Sequence, residues 1–220
     1  MAITAGPGDV RAVRIPPVNL QGDLAVPKGA TGIVLFAHGS GSSRHSSRNR
    51  YVARVLQQGG LGTLLLDLLT SDEERVDLQT RHLRFDIGLL AGRLVTAAEW
   101  LREDPETAQL PVGLFGASTG GGAALVAAAE QPDAIRAVVS RGGRPDLAGP
   151  ALAEVKAPTL LIVGGNDHPV IEMNRNAYEQ LRGEKRLDIV PGATHLFEEP
   201  GTLEQVADLA QAWFRQYLVS

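Results

Sequence analysis

The sequence predicts an α/β chain: a mostly parallel central sheet with helices on both faces and no large cap. Three observations carry this. Apolar runs such as Gly32–Ala37 (Gly-Ile-Val-Leu-Phe-Ala) are continuous rather than alternating, the mark of strands buried on both faces. Such runs alternate along the chain with segments of helical period, the order that builds a parallel sheet with crossover helices. Gly116-Ala117-Ser118-Thr119-Gly120 lies between an apolar run and an alanine-rich one, so it reads as a tight strand-to-helix turn presenting a serine.

The elements follow in order. Val10–Ile15 and Val18–Val26 read as two strands, the second bent at Gln21-Gly22-Asp23. Gly32–Ala37 is the third strand. Tyr51–Gln58 lies in a short helix ended by Gly59-Gly60, and Leu61–Leu69 reads as the next strand. Asp72-Glu73-Glu74 reads as a solvated loop. Leu83, Ile87, Leu90, Leu94 and Leu101 recur at near-helical spacing, predicting a long amphipathic helix that ends before Pro105. Val112–Phe115 enters the serine turn and Gly121–Ala129 leaves it as a helix. Ile135–Ser140, Thr159–Val163 and Leu187–Val190 complete the strands. Helices are expected over Val170–Leu181 and Leu203–Leu218; Thr202-x-x-Gln205 opens the second as a capping box. Its Leu203, Val206, Ala210, Trp213 and Tyr217 make one apolar stripe, read as core packing.

Length and composition narrow the classes. With 220 residues the chain is expected to form one domain, 1–220. No apolar run approaches the roughly 20 residues of a membrane helix. Met1–Gly8 lacks a basic segment followed by an apolar one, so no leader is expected and the location is read as cytoplasmic. Cysteine is absent, which excludes disulfides, thiolate metal sites and a cysteine nucleophile. A net charge of −4 argues against general nucleic-acid binding. The expected partner is a small molecule, with the chain a monomer or homodimer and no membrane, nucleic acid, metal or organic cofactor involved.

A serine hydroxyl needs a neighbouring base to act as a nucleophile. Of His38, His45, His82, His168 and His195, only His195 lies just past the last strand. There it stands at the carboxyl edge of the sheet, where Ser118 is also aimed and where ligands bind in such sheets. Asp167, after Thr159–Val163, is placed to hold the imidazole; it can equally cap the following helix. Asp146 is its rival, while Asp188 lies inside a strand. The order Ser118, Asp167, His195 is nucleophile, acid, base.

For an oxyanion hole the sequence offers the Thr119 N–H at the helix start and the Ser40 N–H in His38-Gly39-Ser40-Gly41. Gly39 and Gly41 are the alternative donors and neighbouring substrate contacts. His38 reads as a packed loop residue. Arg44 and Arg48, in Ser42–Arg50, read either as a solvated turn or as binders of an anionic substrate group, and Arg141 and Arg144 carry the same two readings.

These stretches resemble the α/β-hydrolase superfamily over essentially the whole chain: His38-Gly39-Ser40-Gly41, Gly116-Ala117-Ser118-Thr119-Gly120, Gly165-Asn166-Asp167 and Gly192-Ala193-Thr194-His195. Within it the chain resembles the dienelactone-hydrolase-like group of small single-domain esterases. The resemblance implies the α/β-hydrolase fold and hydrolysis without a cofactor. Dienelactone hydrolases proper carry cysteine at the elbow, whereas this chain has Ser118, which favours a general serine carboxylesterase acting on small esters or lactones. Two other readings are a non-catalytic binding protein on the same scaffold and a hydrolase of phosphoesters or amides. A phosphate-cradling loop fits poorly, because Gly120 is followed by Gly121-Gly122-Ala123 rather than Lys-[Ser/Thr].

Overall fold

The computed structural model describes residues 9–218; Met1–Gly8, expected to carry no leader, lie outside the described residues. Eight strands form one sheet: β1 (Val10–Ile15), β2 (Leu20–Ala25), β3 (Ile33–Ala37), β4 (Gly62–Leu66), β5 (Val112–Ala117), β6 (Ile135–Arg141), β7 (Thr159–Gly164) and β8 (Lys185–Val190). Their order is β1-β2-β4-β3-β5-β6-β7-β8. The β1–β2 and β2–β4 pairs are antiparallel and every other pair is parallel. Six helices accompany it: α1 (Ser47–Gln58), α2 (Ser71–Thr80), α3 (Ile87–Glu103), α4 (Thr119–Glu130), α5 (His168–Gln180) and α6 (Thr202–Tyr217). Short 3-10 segments cover Leu83–Phe85 and Pro145–Glu154. Among the described residues no helix is long and apolar enough to cross a membrane.

The continuous apolar runs are the central strands. Every residue of β3, β4, β5 and β7 is buried, while the edge strand β1 is largely exposed and the edge strand β8 is mostly half-buried or exposed. Alternate residues of one strand feed two cores. Leu35 and Ala37 of β3 pack with Leu90 and Leu94 of α3 and Ala124 of α4. Val34 and Phe36 pack with Leu56 of α1 and Val206 and Phe214 of α6. A parallel strand covered in this way has no wet face, so its sequence loses the alternation of an antiparallel one.

Three sequence expectations change. Gln21-Gly22-Asp23 does not bend; the three residues pair in register with β1, and Gly22 and Asp23 also with β4. Asp72-Glu73-Glu74 is not a loop but the first turn of α2, opened by a capping box between Thr70 and Glu73. The acidic residues face the positive end of the helix dipole there, which stabilises them and the helix. The α6 cap is not Thr202-x-x-Gln205: Gly201 is the N-cap, with φ 82°, and Thr202 Oγ1 donates back to the Glu199 carbonyl at 2.7 Å. Tyr51–Gln58 lies in a helix as read; that helix starts at Ser47, where Ser46 Oγ accepts from the Asn49 N–H at 3.3 Å. Arg48 and Arg50 therefore lie in its first turn, against the dipole, and are placed by other contacts.

Candidate active site

Ser118 links β5 to α4 with φ 51° and ψ −121°. This is sparsely populated backbone for a residue with a Cβ. The neighbours allow it by omission. A Cβ on Gly116 would lie 2.4 Å from the Gly120 carbonyl oxygen, and one on Gly120 would lie 2.3 Å from that of Ala37. Strand, turn and helix thus touch through backbone. The Ser118 N–H donates to the Arg141 carbonyl at 3.2 Å, and the Ser118 carbonyl accepts from Gly121 and Arg144 at 2.9 and 3.0 Å.

The loops after β7 and β8 bring the other two groups to Ser118. His195 Nε2 lies 3.3 Å from Ser118 Oγ, and its Nδ1 lies 2.6 Å from Asp167 Oδ2. Asp167 occupies the N-cap position of α5, yet its side chain makes no capping bond; the carboxylate is turned to His195 instead. Asp146, the rival, is held by Arg144 at 2.7 Å, so Arg144 is engaged as well. The two loops are laced together. Asn166 N–H donates to the Ala193 carbonyl at 2.9 Å, and Asn166 Nδ2 to that of Gly192 at 3.0 Å. Glu199 accepts from the Thr194 hydroxyl at 2.7 Å and from its N–H at 3.0 Å; these bonds hold its carboxyl below the ordinary range. A Cβ on Gly164 would stand 2.5 Å from the Ala193 carbonyl oxygen. Asn166, Glu199 and Gly164 were not singled out from the sequence. Gly164 and Asn166 meet their partners in the loop after β8, and Glu199 meets Thr194 within its own loop, at a spacing that marks no known motif.

The loop after β3 faces the serine. A Cβ on Gly39 would come within 3.1 Å of Ser118 Cβ. The Ser40 N–H, read as an oxyanion donor, donates to Thr119 Oγ1 at 2.8 Å. The Thr119 N–H opens α4, where no intrahelical acceptor exists. Gly41 has φ 69° and abuts Arg84 rather than Ser118.

His38 anchors this loop. Its Nε2 accepts from the Leu68 N–H at 3.1 Å and its Nδ1 lies 2.9 Å from the Gly39 carbonyl. That pair of partners selects the neutral Nδ1–H tautomer. Burial pushes the His38 pKa below its ordinary value of 6.5. The folded chain then resists a proton that the unfolded chain accepts, so stability falls as pH drops below about 6.5 and stops falling at the depressed value. Urea midpoints between pH 5 and 7.5 should show a smaller pH dependence in His38→Gln than in the wild type; equal slopes would remove His38 from the linkage.

A cleft of about 230 Å³ is lined by Ser118 and His195 together with Ser40, Arg48, Asn49 and Arg141. A second cleft, about 180 Å³, lies across the His38–Ser43 loop and is lined by Asp67, Asp77 and Arg84 but by neither Ser118 nor His195. Of the arginines read as anion binders, Arg44 leaves the serine's cleft, because Asp67 and Asp23 take its guanidinium. Arg48 lines the cleft and reaches Glu198 at 3.3 Å. Arg141 is not in the loop after the strand but is the last residue of β6, buried at 5% exposure.

Comparison with known proteins agrees with the fold. Two proteins of Mycobacterium tuberculosis (strains CDC 1551 and H37Rv), both provisionally named phosphoribosyl transferases, are 62% identical over 202 residues. The match covers 92% of this chain and 45% of theirs, so the chain spans about half the length of the curated relatives it matches. The crystal structure of a dienelactone hydrolase from Anabaena variabilis ATCC 29413 superposes with a TM-score of 0.93 at 68% identity, covering 96% of this chain and 99% of that one. A dienelactone hydrolase-like promiscuous phosphotriesterase, P91, from metagenomic libraries shares the fold with a TM-score of 0.78 at 17% identity, covering 97% and 100%. The model of the dienelactone hydrolase family matches residues 20–218. The strand order, the strained serine at the β5–α4 turn and this match agree: the chain belongs to the dienelactone hydrolase family and has the α/β-hydrolase fold.

Proposed function

We propose that the chain is a serine hydrolase of small carboxylic esters or lactones, with Ser118 as nucleophile, His195 as base and Asp167 orienting it. The observation that carries this reading is the continuous contact from Ser118 Oγ to His195 Nε2 at 3.3 Å and from His195 Nδ1 to Asp167 at 2.6 Å. Asp167 fixes the tautomer with Nδ1–H, which leaves Nε2 free to accept the serine proton.

As Oγ attacks the carbonyl carbon, the proton passes to Nε2 and the carbonyl oxygen becomes an oxyanion. The Thr119 N–H donates to it at once. The Ser40 N–H joins when the Thr119 hydroxyl gives up that bond, which a charged acceptor favours over a neutral one. Collapse breaks the C–O bond of the ester, and His195 returns the proton to the leaving alcohol. Water then repeats the sequence on the acyl-serine and releases the acid. In a lactone the alcohol stays tethered to the acyl group, so one molecule of hydroxy acid leaves.

The activity named for the mycobacterial relatives is assigned, on this reading, to the part of those chains that this one does not span. Labelling by a fluorophosphonate tests the proposal. A single adduct on Ser118, located by peptide mass spectrometry and lost in His195→Ala, is expected. No adduct on the folded wild-type protein would restore the reading of a non-catalytic binding protein.

A further inference from the structure

Asn174 lies in the middle of α5 and is fully buried. Packing alone does not account for it. Asparagine is a weak helix former. Its Oδ1 has no hydrogen-bond partner among the described residues, a state that buried polar groups normally avoid. An apolar side chain would meet both objections. What the amide gains is two bonds from Nδ2. One goes to the Val170 carbonyl, a turn back in the helix, at 2.8 Å; the other leaves the helix for the Gly143 carbonyl, at 3.0 Å.

Gly143 sits between the two contacts that hold the elbow. Before it, the Arg141 carbonyl accepts from the Ser118 N–H; after it, the Arg144 N–H donates to the Ser118 carbonyl. Its neighbour Gly142 packs on the base: a Cβ there would lie 3.1 Å from the His195 carbonyl oxygen and 3.6 Å from His195 Cε1. On the sheet side Gly143 has no room to retreat. A Cβ on it would run into Ser140 Oγ, and a Cβ on Gly121, in the first turn of α4, would lie 3.0 Å from Gly143 Cα. On the other side stands α5, which opens directly after Asp167; the Asp167 carbonyl accepts the Ile171 N–H at 3.0 Å. One side-chain bond thus joins the helix that begins at the acid to the loop that touches both nucleophile and base.

We propose that Asn174 is a positioning residue: by holding Gly143 it keeps the Arg141–Arg144 loop, and with it the strained backbone of Ser118, in register with His195 and Asp167. This rests on the hydrolase reading of Ser118 and adds to it a residue that touches no substrate. Strained backbone persists only where the surroundings over-determine it, and Asn174 supplies one of those restraints. Without its bond the loop can shift away from α5, and the 3.3 Å approach of His195 Nε2 to Ser118 Oγ lengthens.

Two variants of the full chain test this. Asn174→Ala removes both bonds, and Asn174→Leu refills the space without a donor. In each, kcat on p-nitrophenyl butyrate should fall by about 10- to 100-fold while KM stays within about twofold, because a misplacement of about 1 Å arising far from the chemistry can cost that much in rate. Fluorophosphonate labelling of Ser118 should slow by a similar factor. Ala177→Gly is the control: it weakens the same helix without removing the bond to Gly143, and should leave kcat per folded molecule unchanged. Wild-type kcat in a folded Asn174 variant overturns the proposal. An equal loss in Ala177→Gly does so as well, since the effect would then be one of helix stability. If neither Asn174 variant folds, the residue serves folding rather than positioning, and the proposal is likewise overturned. No labelling of Ser118 in the wild type would remove the hydrolase reading itself; labelling that no Asn174 variant slows removes this proposal alone.

Discussion

Ser118→Ala should lower kcat/KM on short p-nitrophenyl esters by at least about a thousandfold, with the loss in kcat rather than KM. Removing a nucleophile abolishes the covalent path and leaves the residual contribution of binding and oxyanion donors, the pattern seen when members of such triads are deleted. The structure predicts little change in stability. Alanine has the same backbone restriction as serine at φ 51°, and Ser118 Oγ makes one hydrogen bond among the described residues, to His195. Urea unfolding of the variant should therefore overlay that of the wild type while the initial rate collapses. A rate unchanged by the substitution would place the nucleophile elsewhere.

Gly120→Ala should be the most disruptive single-methyl substitution in the elbow. Gly120 is the second residue of α4, and helix propensity alone favours alanine there by about 1 kcal/mol. The tertiary contact opposes this. The new Cβ would lie 2.3 Å from the Ala37 carbonyl oxygen and 2.6 Å from that of His38. Both are backbone atoms, one at the end of β3 and one in the loop facing Ser118, so relief requires moving the helix or the loop. Overpacking of this kind costs about 1–3 kcal/mol, and with a rigid neighbour the upper end is expected. Because the displaced loop carries Ser40, activity should fall with stability. Gly92→Ala is the counterpart: Gly92 is exposed on α3 with no atom within 4 Å of its added Cβ. There propensity acts unopposed, and a gain of up to about 1 kcal/mol is expected. Equal effects of the two substitutions on the urea midpoint would discard the argument from close contact.

Much of the site was legible because its signals are local. A serine elbow is written within five residues, since the turn itself demands small neighbours at Gly116 and Gly120. Asp167 and His195 each lie just past an apolar run, and a parallel sheet sends all such carboxyl ends to one edge. Where the reading failed, the deciding partner was distant or two local signals competed. Asp72-Glu73-Glu74 carries enough charge to read as solvated loop, although Thr70 and Glu73 already spell a helix start. Thr202 and Gln205 spell one too, yet Gly201 takes the cap, because the Thr202 hydroxyl prefers the Glu199 carbonyl.

The arginines show the same division. Arg44, Arg48 and Arg141 could be named from the chain as cations near the site, but nothing local distinguishes them. Asp23 and Asp67, from β2 and the segment after β4, take Arg44 out of the cleft. Glu198, far along the chain, shares Arg48. Arg141 is left buried beside Ser118 with Asn49 as its one side-chain hydrogen-bond acceptor among the described residues. The sequence by itself determined the sheet, its strand sequence, the elbow and the chain order of serine, aspartate and histidine, because apolar period and turn chemistry are properties of adjacent residues. The tertiary structure alone decided which donors and charges remain free around Ser118, because whether a charge is free depends on what other strands and loops have placed against it.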